Sequence, residues 1–129
     1  MIAIEPVCRH IVSTPERAKA VLDAIDSPNL QIILDTVNLL NMHNHIRMDE
    51  LVAQSIDLFG DRIRILHMKD YQPVEGAEDV KSMACGTGVM DYTRLLAFAQ
   101  AHPGLPMTLE DTVPDNAVAA RQHLESAAK

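Results

Sequence analysis

The sequence predicts an α/β protein in which four short strands form one parallel sheet and a helix follows each strand. Four short apolar runs alternate with stretches whose apolar residues recur at helical spacing. This alternation is typical of β-α-β units, which are joined by right-handed crossovers. The runs occupy residues 2–4, 30–34, 63–66 and 106–109. We expect residues 1–129 to form a single domain.

Each apolar run ends directly in an ionisable side chain that can bind a metal ion. These four residues are Glu5, Asp35, His67 and Glu110. Parallel strands end at one edge of a sheet, so we expect the four side chains to lie close together. If they share one cavity, the residues two positions earlier face the same interior. Those residues are Ala3, Ile33, Ile65 and Thr108.

The first helix has a clear start signal. Ser13 and Thr14 can cap it, Pro15 suits the first turn, and Glu16 lies beside the positive end of the helix. We expect the helix to span residues 15–25. Its buried face would consist of Ala18, Val21, Leu22 and Ile25.

The second helix is expected over residues 49–59, with Gly60 ending it. Residues 36–47 precede it and are rich in Asn and His, so we interpret them as a loop at the site with a helical turn. Residues 69–89 are long for a loop between a strand and a helix, and loops of that length are often functional.

The last two helices are predicted from their caps. Asp91 would cap a helix over residues 92–101, which His102-Pro103-Gly104 then stops. Asp115 would cap a final helix over residues 116–127.

Composition narrows the class of protein. The chain of 129 residues is 47% apolar and 3% aromatic, so we expect a globular core of aliphatic side chains. The formal net charge of −7 argues against nucleic acid or an anionic membrane as partner, because both need a basic surface. There is no run of ~18 apolar residues and no signal sequence at the start. Cys8 and Cys85 make no CxxC pair, so we expect a reduced, cytoplasmic protein.

The four strand-end residues have the chemistry of a site for a hard cation. Three carboxylates and one imidazole suit Mn²⁺, Mg²⁺ or Co²⁺ and also tolerate Zn²⁺. Any one of these residues alone is more often a cap or a salt-bridge partner. It is the set of four, closing four consecutive strands, that predicts one divalent metal ion.

Three further features are given structural interpretations. Asp70 and Asp111 are expected to support the ligands or to cap, rather than to bind metal. Residues 42–45 contain two histidines in a His-x-His pattern but no further ligands, so a solvated loop is favoured. Gly86-Thr87-Gly88 could cradle a phosphate, but a simple turn is favoured because the motif lacks the Lys-Ser/Thr of a P-loop.

Five segments together resemble the sugar phosphate isomerase/epimerase superfamily, the xylose isomerase-like barrels that include endonuclease IV and the ketose 3-epimerases. They are Ile4-Glu5-Pro6, Asp35-Thr36-Val37-Asn38-Leu39-Leu40, His67-Met68-Lys69-Asp70, Gly86-Thr87-Gly88 with Asp91, and Leu109-Glu110. The resemblance implies an eight-stranded (β/α) barrel, of which this chain would supply strands five to eight.

The resemblance also implies roles for individual residues. Glu5, Asp35, His67 and Glu110 would hold the metal, with Glu5 and Glu110 as the acid/base pair that acts on the carbon beside a sugar carbonyl. Many members carry a histidine that helps bind substrate where this chain has Asn38. The epimerases carry a second substrate-binding acid shortly after the first Glu, and residues 8–12 of this chain offer His10 there but no acid. Lys69 could bind a substrate oxygen or pair with a carboxylate.

The sequence thus predicts a metal-dependent isomerase or epimerase of a sugar or sugar phosphate, working through an enediolate. A nuclease similar to endonuclease IV is disfavoured, because it would need a basic groove and a richer ligand set. A non-catalytic or truncated half-barrel is the alternative from another class. Four β-α units leave two bare sheet edges, so we expect a homo-oligomer or pairing with an amino-terminal half-barrel.

Overall fold

The computed structural model describes all 129 residues and contains a four-stranded parallel sheet with helices packed on one face. The strands of this sheet are β1 (Ile2–Ile4), β2 (Leu30–Asp35), β3 (Ile63–Met68) and β6 (Met107–Leu109), in the order β1-β2-β3-β6. The helices are α1 (Pro15–Ile25), α2 (Met48–Phe59), α3 (Thr93–Ala101) and α4 (Pro114–Ala127). The predicted succession of four β-α units is therefore confirmed.

The two faces of the sheet differ in burial. Side chains on the helix side of the central strands are almost fully buried; they include Ile32, Leu34, Leu66 and Met68. On the other face, Ala3, Ile33 and Ile65 are only half-buried and Thr108 is exposed. The sheet therefore packs its core against the helices, while the face that carries the strand-end residues remains partly open.

Helix α1 spans the predicted residues, and its first turn forms for the expected reason. The Thr14 hydroxyl oxygen accepts a hydrogen bond from the Arg17 backbone N–H at 3.3 Å. Ala18 and Leu22 are buried, but the expected burial of Ile25 is wrong, since this residue is 57% exposed. Ile25 lies with Ile2 at the open β1 edge of the sheet, where nothing further covers it.

The segment between β3 and α3 contains a hairpin that the sequence did not predict. Strands β4 (Asp70–Gln72) and β5 (Lys81–Met83) pair antiparallel and form a separate two-stranded sheet. Each strand is three residues long and mostly polar, so neither has the apolar alternation by which strands are recognised. The predicted loop is therefore partly ordered by backbone hydrogen bonds.

Two predicted helix ends differ in detail. Helix α2 ends at Phe59, but Gly60 has φ −54° and leads into a 3-10 turn, so it is not a left-handed cap. Helix α4 starts at Pro114, and Asp115 lies in its first turn instead of capping it. The capping contact comes from Asn116, whose Oδ1 accepts a hydrogen bond from the Val113 backbone N–H at 2.9 Å. No helix of the protein has the length and apolarity needed to cross a membrane.

Candidate metal centre

The four strand-end residues lie together at the carboxyl ends of the parallel strands. Asp35 on β2 and His67 on β3 occupy directly paired positions, so their side chains leave the sheet side by side. Glu5 follows β1 on one flank, and Glu110 follows β6 on the other. The Glu110 backbone N–H donates to the carbonyl of Met68 at 2.9 Å, which extends the pairing with β3 as far as this carboxylate.

All three carboxylates converge on one nitrogen of His67. Its Nδ1 lies 3.5 Å from Glu5 Oε1, 3.6 Å from Glu110 Oε1 and 3.9 Å from Asp35 Oδ2. Exposure rises outward from the sheet centre: the Asp35 side chain is 0% exposed, that of His67 17%, that of Glu5 28% and that of Glu110 39%. The predicted residues are thus brought together, with the two central ones the most enclosed.

The spacing of these atoms suits a divalent ion. Ligands held at about 2.1 Å in a tetrahedral arrangement lie about 3.4 Å from one another. Glu5, Asp35 and His67 each offer one ligand atom, and the three atoms lie within 4.8 Å of one another. Glu110 falls outside this tighter group but approaches His67 to a similar distance as Glu5 does. The donor set of carboxylates and one imidazole is one that Mg²⁺, Mn²⁺ and Zn²⁺ accept.

Asp35 has a buried oxygen that the protein leaves without a hydrogen bond. Oδ2 lies 2.9 Å from the Lys69 ammonium, but this ion pair lacks hydrogen-bond geometry. The oxygen lies on the side of Asp35 that approaches His67, so it is available to a cation at the centre of the cluster.

Burial controls the ionisation of Asp35. Loss of water around this carboxyl raises its pKa, because the charged form is poorly solvated there. The Lys69 ammonium and the Asn38 backbone N–H oppose this rise, whereas the nearby Glu5 carboxylate adds to it. Without a cation, therefore, this carboxyl holds its proton more tightly than a free aspartate does.

Asn38 and Lys69 lie within the cluster and contact its carboxylates, and Asn38 also lines a cavity of about 240 Å³. Asn38 Nδ2 donates to Glu5 Oε1 at 2.6 Å, and its Oδ1 accepts from Lys69 Nζ at 2.8 Å. The Lys69 side chain is 8% exposed. Asn38 was predicted to bind substrate, and Lys69 to bind a substrate oxygen or to pair with a carboxylate. In the structure the two residues together join Glu5 to Asp35.

His10 is the predicted site residue that lies farthest outward. It is exposed on the loop after β1 and makes no side-chain hydrogen bond to the cluster. It lines a cleft of about 780 Å³ together with Glu5 and Arg9. His10 is therefore placed where a ligand that reaches Glu5 would pass.

Asp70 orders the glycine-rich turn, and its hydrogen bonds reach none of the four strand-end residues. It is 1% exposed, and its carboxylate accepts hydrogen bonds from the backbone N–H groups of Tyr71, Gly86 and Met90 at 2.8, 3.0 and 2.8 Å. The glycine-rich segment is thus wrapped around a side chain of the protein itself. This supports the interpretation of Gly86-Thr87-Gly88 as a turn, because two amides in and beside it are already bound to a carboxylate.

The remaining polar features stay at the periphery. Asp111 is exposed and has φ 51°, and it does not support a ligand. His43 is exposed, while the ring of His45 packs edge-on against Tyr71 with the ring centroids 6.2 Å apart. The His-x-His pattern therefore belongs to a loop and not to a second metal site.

Comparison with known proteins identifies the family. The family model described as xylose isomerase-like TIM barrel (AP endonuclease family 2) matches residues 1–128. The chain belongs to this family. The family includes enzymes that act on small-molecule sugars. No curated protein matches the chain.

Solved structures of xylose isomerase-like barrels share the fold. A xylose isomerase domain protein from Planctomyces limnophilus superposes with a TM-score of 0.65 at 20% identity, covering 97% of this chain and 43% of its own. A xylose isomerase-like TIM barrel protein from Mycobacterium smegmatis, in complex with magnesium, superposes with a TM-score of 0.68 at 18% identity. The match covers 98% of this chain and 44% of that protein. The IolI protein with a bound zinc atom superposes with a TM-score of 0.62 at 22% identity, and the match covers 98% of this chain and 45% of that protein.

These superpositions define the architecture as part of a TIM barrel. At such low identity they establish the fold alone. The chain spans less than half the length of each of these barrels. The predicted fold class, four β-α units that resemble half of a xylose isomerase-like barrel, is therefore confirmed.

Proposed function

We propose that this chain is a divalent-metal-dependent isomerase or epimerase of a sugar or sugar phosphate, or the carboxyl-terminal half of one. The observation that carries the proposal is the convergence of three carboxylates on His67 Nδ1, all within 3.9 Å. The buried Asp35 oxygen that pairs with Lys69 also approaches His67, so it offers a further ligand atom to a cation among them. The magnesium and zinc of the two structural relatives make one such ion plausible here, with Mn²⁺ and Co²⁺ as further candidates.

The positions of the two glutamates support an acid/base pair. Glu5 and Glu110 reach His67 from opposite edges of the sheet, at 3.5 and 3.6 Å. A sugar carbon between them would present one face to each carboxylate. One glutamate takes the proton from the carbon beside the carbonyl, and the other returns a proton to the opposite face, which inverts that carbon. In an isomerisation a single glutamate could move the proton between neighbouring carbons.

The other residues of the site have supporting tasks in this proposal. A bound divalent ion would supply Lewis acidity, polarising the sugar carbonyl and offsetting negative charge that develops on its oxygen. Asp35 and His67, the most enclosed of the four ligands, would fix the position of the ion. Lys69 holds Asp35, and His10 borders the cleft by which a sugar would reach Glu5.

A complete active site is expected to need a second half-barrel. The chain covers 43–45% of the structural relatives, and its inner sheet face is only partly covered. We therefore propose that it pairs with a copy of itself or with an amino-terminal half-barrel. The same two observations favour the second candidate function, a non-catalytic half-barrel that serves as a partner.

Metal titration tests the proposal. We expect calorimetry with Mn²⁺ or Co²⁺ to give binding near 1:1 in the wild type and none in His67→Ala, because the substitution removes the ligand on which the carboxylates converge. His43→Ala is the matched control, since His43 is an exposed histidine on a nearby loop. Retained binding in His67→Ala would refute the site.

A sugar screen then separates the two candidates. A metal-loaded enzyme should exchange the proton beside the carbonyl of a substrate with deuterium from solvent, and Glu5→Gln should stop this exchange. Metal binding without exchange on any ketose, aldose or their phosphates would favour the non-catalytic half-barrel.

A further inference from the structure

Asn38 contacts three groups of the candidate metal centre at once. Its backbone N–H donates to Asp35 Oδ1 at 3.1 Å. Its side-chain Nδ2 donates to Glu5 Oε1 at 2.6 Å, and its Oδ1 accepts from Lys69 Nζ at 2.8 Å. No other residue connects β1, β2 and β3 at the level of the site through side-chain hydrogen bonds.

The amide is oriented by the charges at its two ends. Its NH₂ group faces a carboxylate and its oxygen faces an ammonium, which is the only orientation in which both hydrogen bonds form. The ammonium of Lys69 polarises the amide and so strengthens the bond that Nδ2 donates to Glu5. Hydrogen bonds in which one partner is charged are also shorter and stronger than neutral ones.

We infer that Asn38 is a positioning residue. It fixes the Glu5 carboxylate in the metal centre through a hydrogen bond that the Lys69 ammonium strengthens by polarising the amide. This inference rests on the proposed function, because Glu5 is a ligand only if the metal site exists. It assigns Asn38 a role in addition to the sequence expectation that this residue binds substrate. Each end of the amide makes one hydrogen bond within the protein, so one N–H and one oxygen lone pair are left for a substrate.

Metal affinity measures the positioning role. We expect Asn38→Ala to weaken Mn²⁺ binding by about tenfold or more, which is the typical effect of removing a group that orients a ligand. The visible absorption of bound Co²⁺ should also change, because Glu5 would meet the ion in a different orientation. A purely structural role would leave this spectrum unaltered.

Asn44 offers a matched control in the same loop region. Its side chain also uses both ends, with Nδ2 donating to the Leu39 carbonyl at 3.0 Å and Oδ1 accepting from the Asn41 backbone N–H at 2.8 Å. It touches none of the site residues. Asn44→Ala should therefore keep Mn²⁺ affinity within twofold and the Co²⁺ spectrum unchanged. Equal effects of the two substitutions would overturn the inference.

A second measurement needs no metal and keeps the inference separate from the proposed function. In the wild type, the Asn38 side-chain amide proton bonded to Glu5 should resonate downfield of a free amide, and Glu5→Ala should abolish this shift without moving the Asn44 amide. If the wild type binds no metal but shows this shift, the metal function fails and the positioning of Glu5 stands. If the wild type shows no shift, the positioning inference is overturned whatever the metal data show.

Discussion

At the scale of single residues, Asp35 has the most deeply buried side chain of the four strand-end residues. Its carboxyl is fully buried, and burial raises its pKa despite the neighbouring Lys69. In the unfolded chain an aspartate has a pKa of about 3.9. Between that pH and the higher folded pKa, the native state binds more protons than the unfolded state, so the free energy of unfolding falls as pH rises.

We therefore predict that the metal-free protein becomes less stable as pH increases from about 4 through the folded pKa of Asp35. Asp35→Asn should remove this part of the decline. Urea unfolding over a pH series would measure the difference. Asp57→Asn, on the exposed side of α2, is the control. The prediction fails if Asp35→Asn and the wild type show parallel pH profiles.

Some residues of the site could be predicted from the sequence, and the role of another could not. Glu5, Asp35, His67 and Glu110 were identifiable because each directly follows an apolar run, and strand ends of parallel sheets converge. The bridging role of Asn38 was not, because it depends on distances between side chains 33 and 31 positions apart in the chain. Local patterns do not encode such distances.

At the scale of elements, the turn after β5 is built around close contact of backbone and carboxylate. A Cβ atom at Gly88 would overlap the Tyr71 carbonyl oxygen and lie 2.5 Å from Asp70 Oδ1. Neither group can easily move, because the first is backbone and the second belongs to a carboxylate whose two oxygens together accept three backbone hydrogen bonds. A glycine is thus required at position 88 because there is no room for a Cβ atom, and not because of its backbone angles.

We predict that Gly88→Ala destabilises the protein by about 2–3 kcal/mol, the upper part of the range for overpacking. Gly76→Ala is the comparison: Gly76 has φ +78° but nothing within 4 Å of its Cβ position, so about 1 kcal/mol of backbone strain is expected. Thermal or urea unfolding would rank the two variants. The opposite ranking would mean that the turn can open around Asp70.

Elements with an apolar pattern were predictable, and short polar ones were not. Helix α1 and strand β1 have the predicted bounds. The hairpin of β4 and β5 was missed, since each strand has three residues and depends on pairing with the other. The start of α4 was misplaced because Asn116 caps from within the helix, whereas the sequence offered Asp115 as a more conventional cap.

At the scale of the whole molecule, the sheet has two unpaired edges. Ile2 on β1 is 70% exposed and Met107 on β6 is 47% exposed. Exposed apolar edge strands are templates for pairing with another chain. We predict that the 129-residue chain self-associates at micromolar concentration, measured by light scattering or sedimentation.

A double substitution, Ile2→Lys with Met107→Lys, should shift the chain toward the monomer, because charged side chains block edge pairing. Ile46→Lys is the control, since Ile46 is 83% exposed but lies away from the sheet. A well-folded wild-type monomer at these concentrations would refute the need for a partner.

The direct pairing of Asp35 with His67 has a consequence for the order in which the site forms during folding. Each parallel strand pairs with the one before it in the chain, so the sheet can begin at β2 and β3 and grow outward. Amides of β2 and β3 should then exchange with deuterium more slowly than those of the edge strands, and equal rates would argue against this order. Asp35 and His67 would be in place first and the two glutamates last. Under the proposed function, the two innermost ligands of the ion would thus be in place before the two glutamates proposed to move protons.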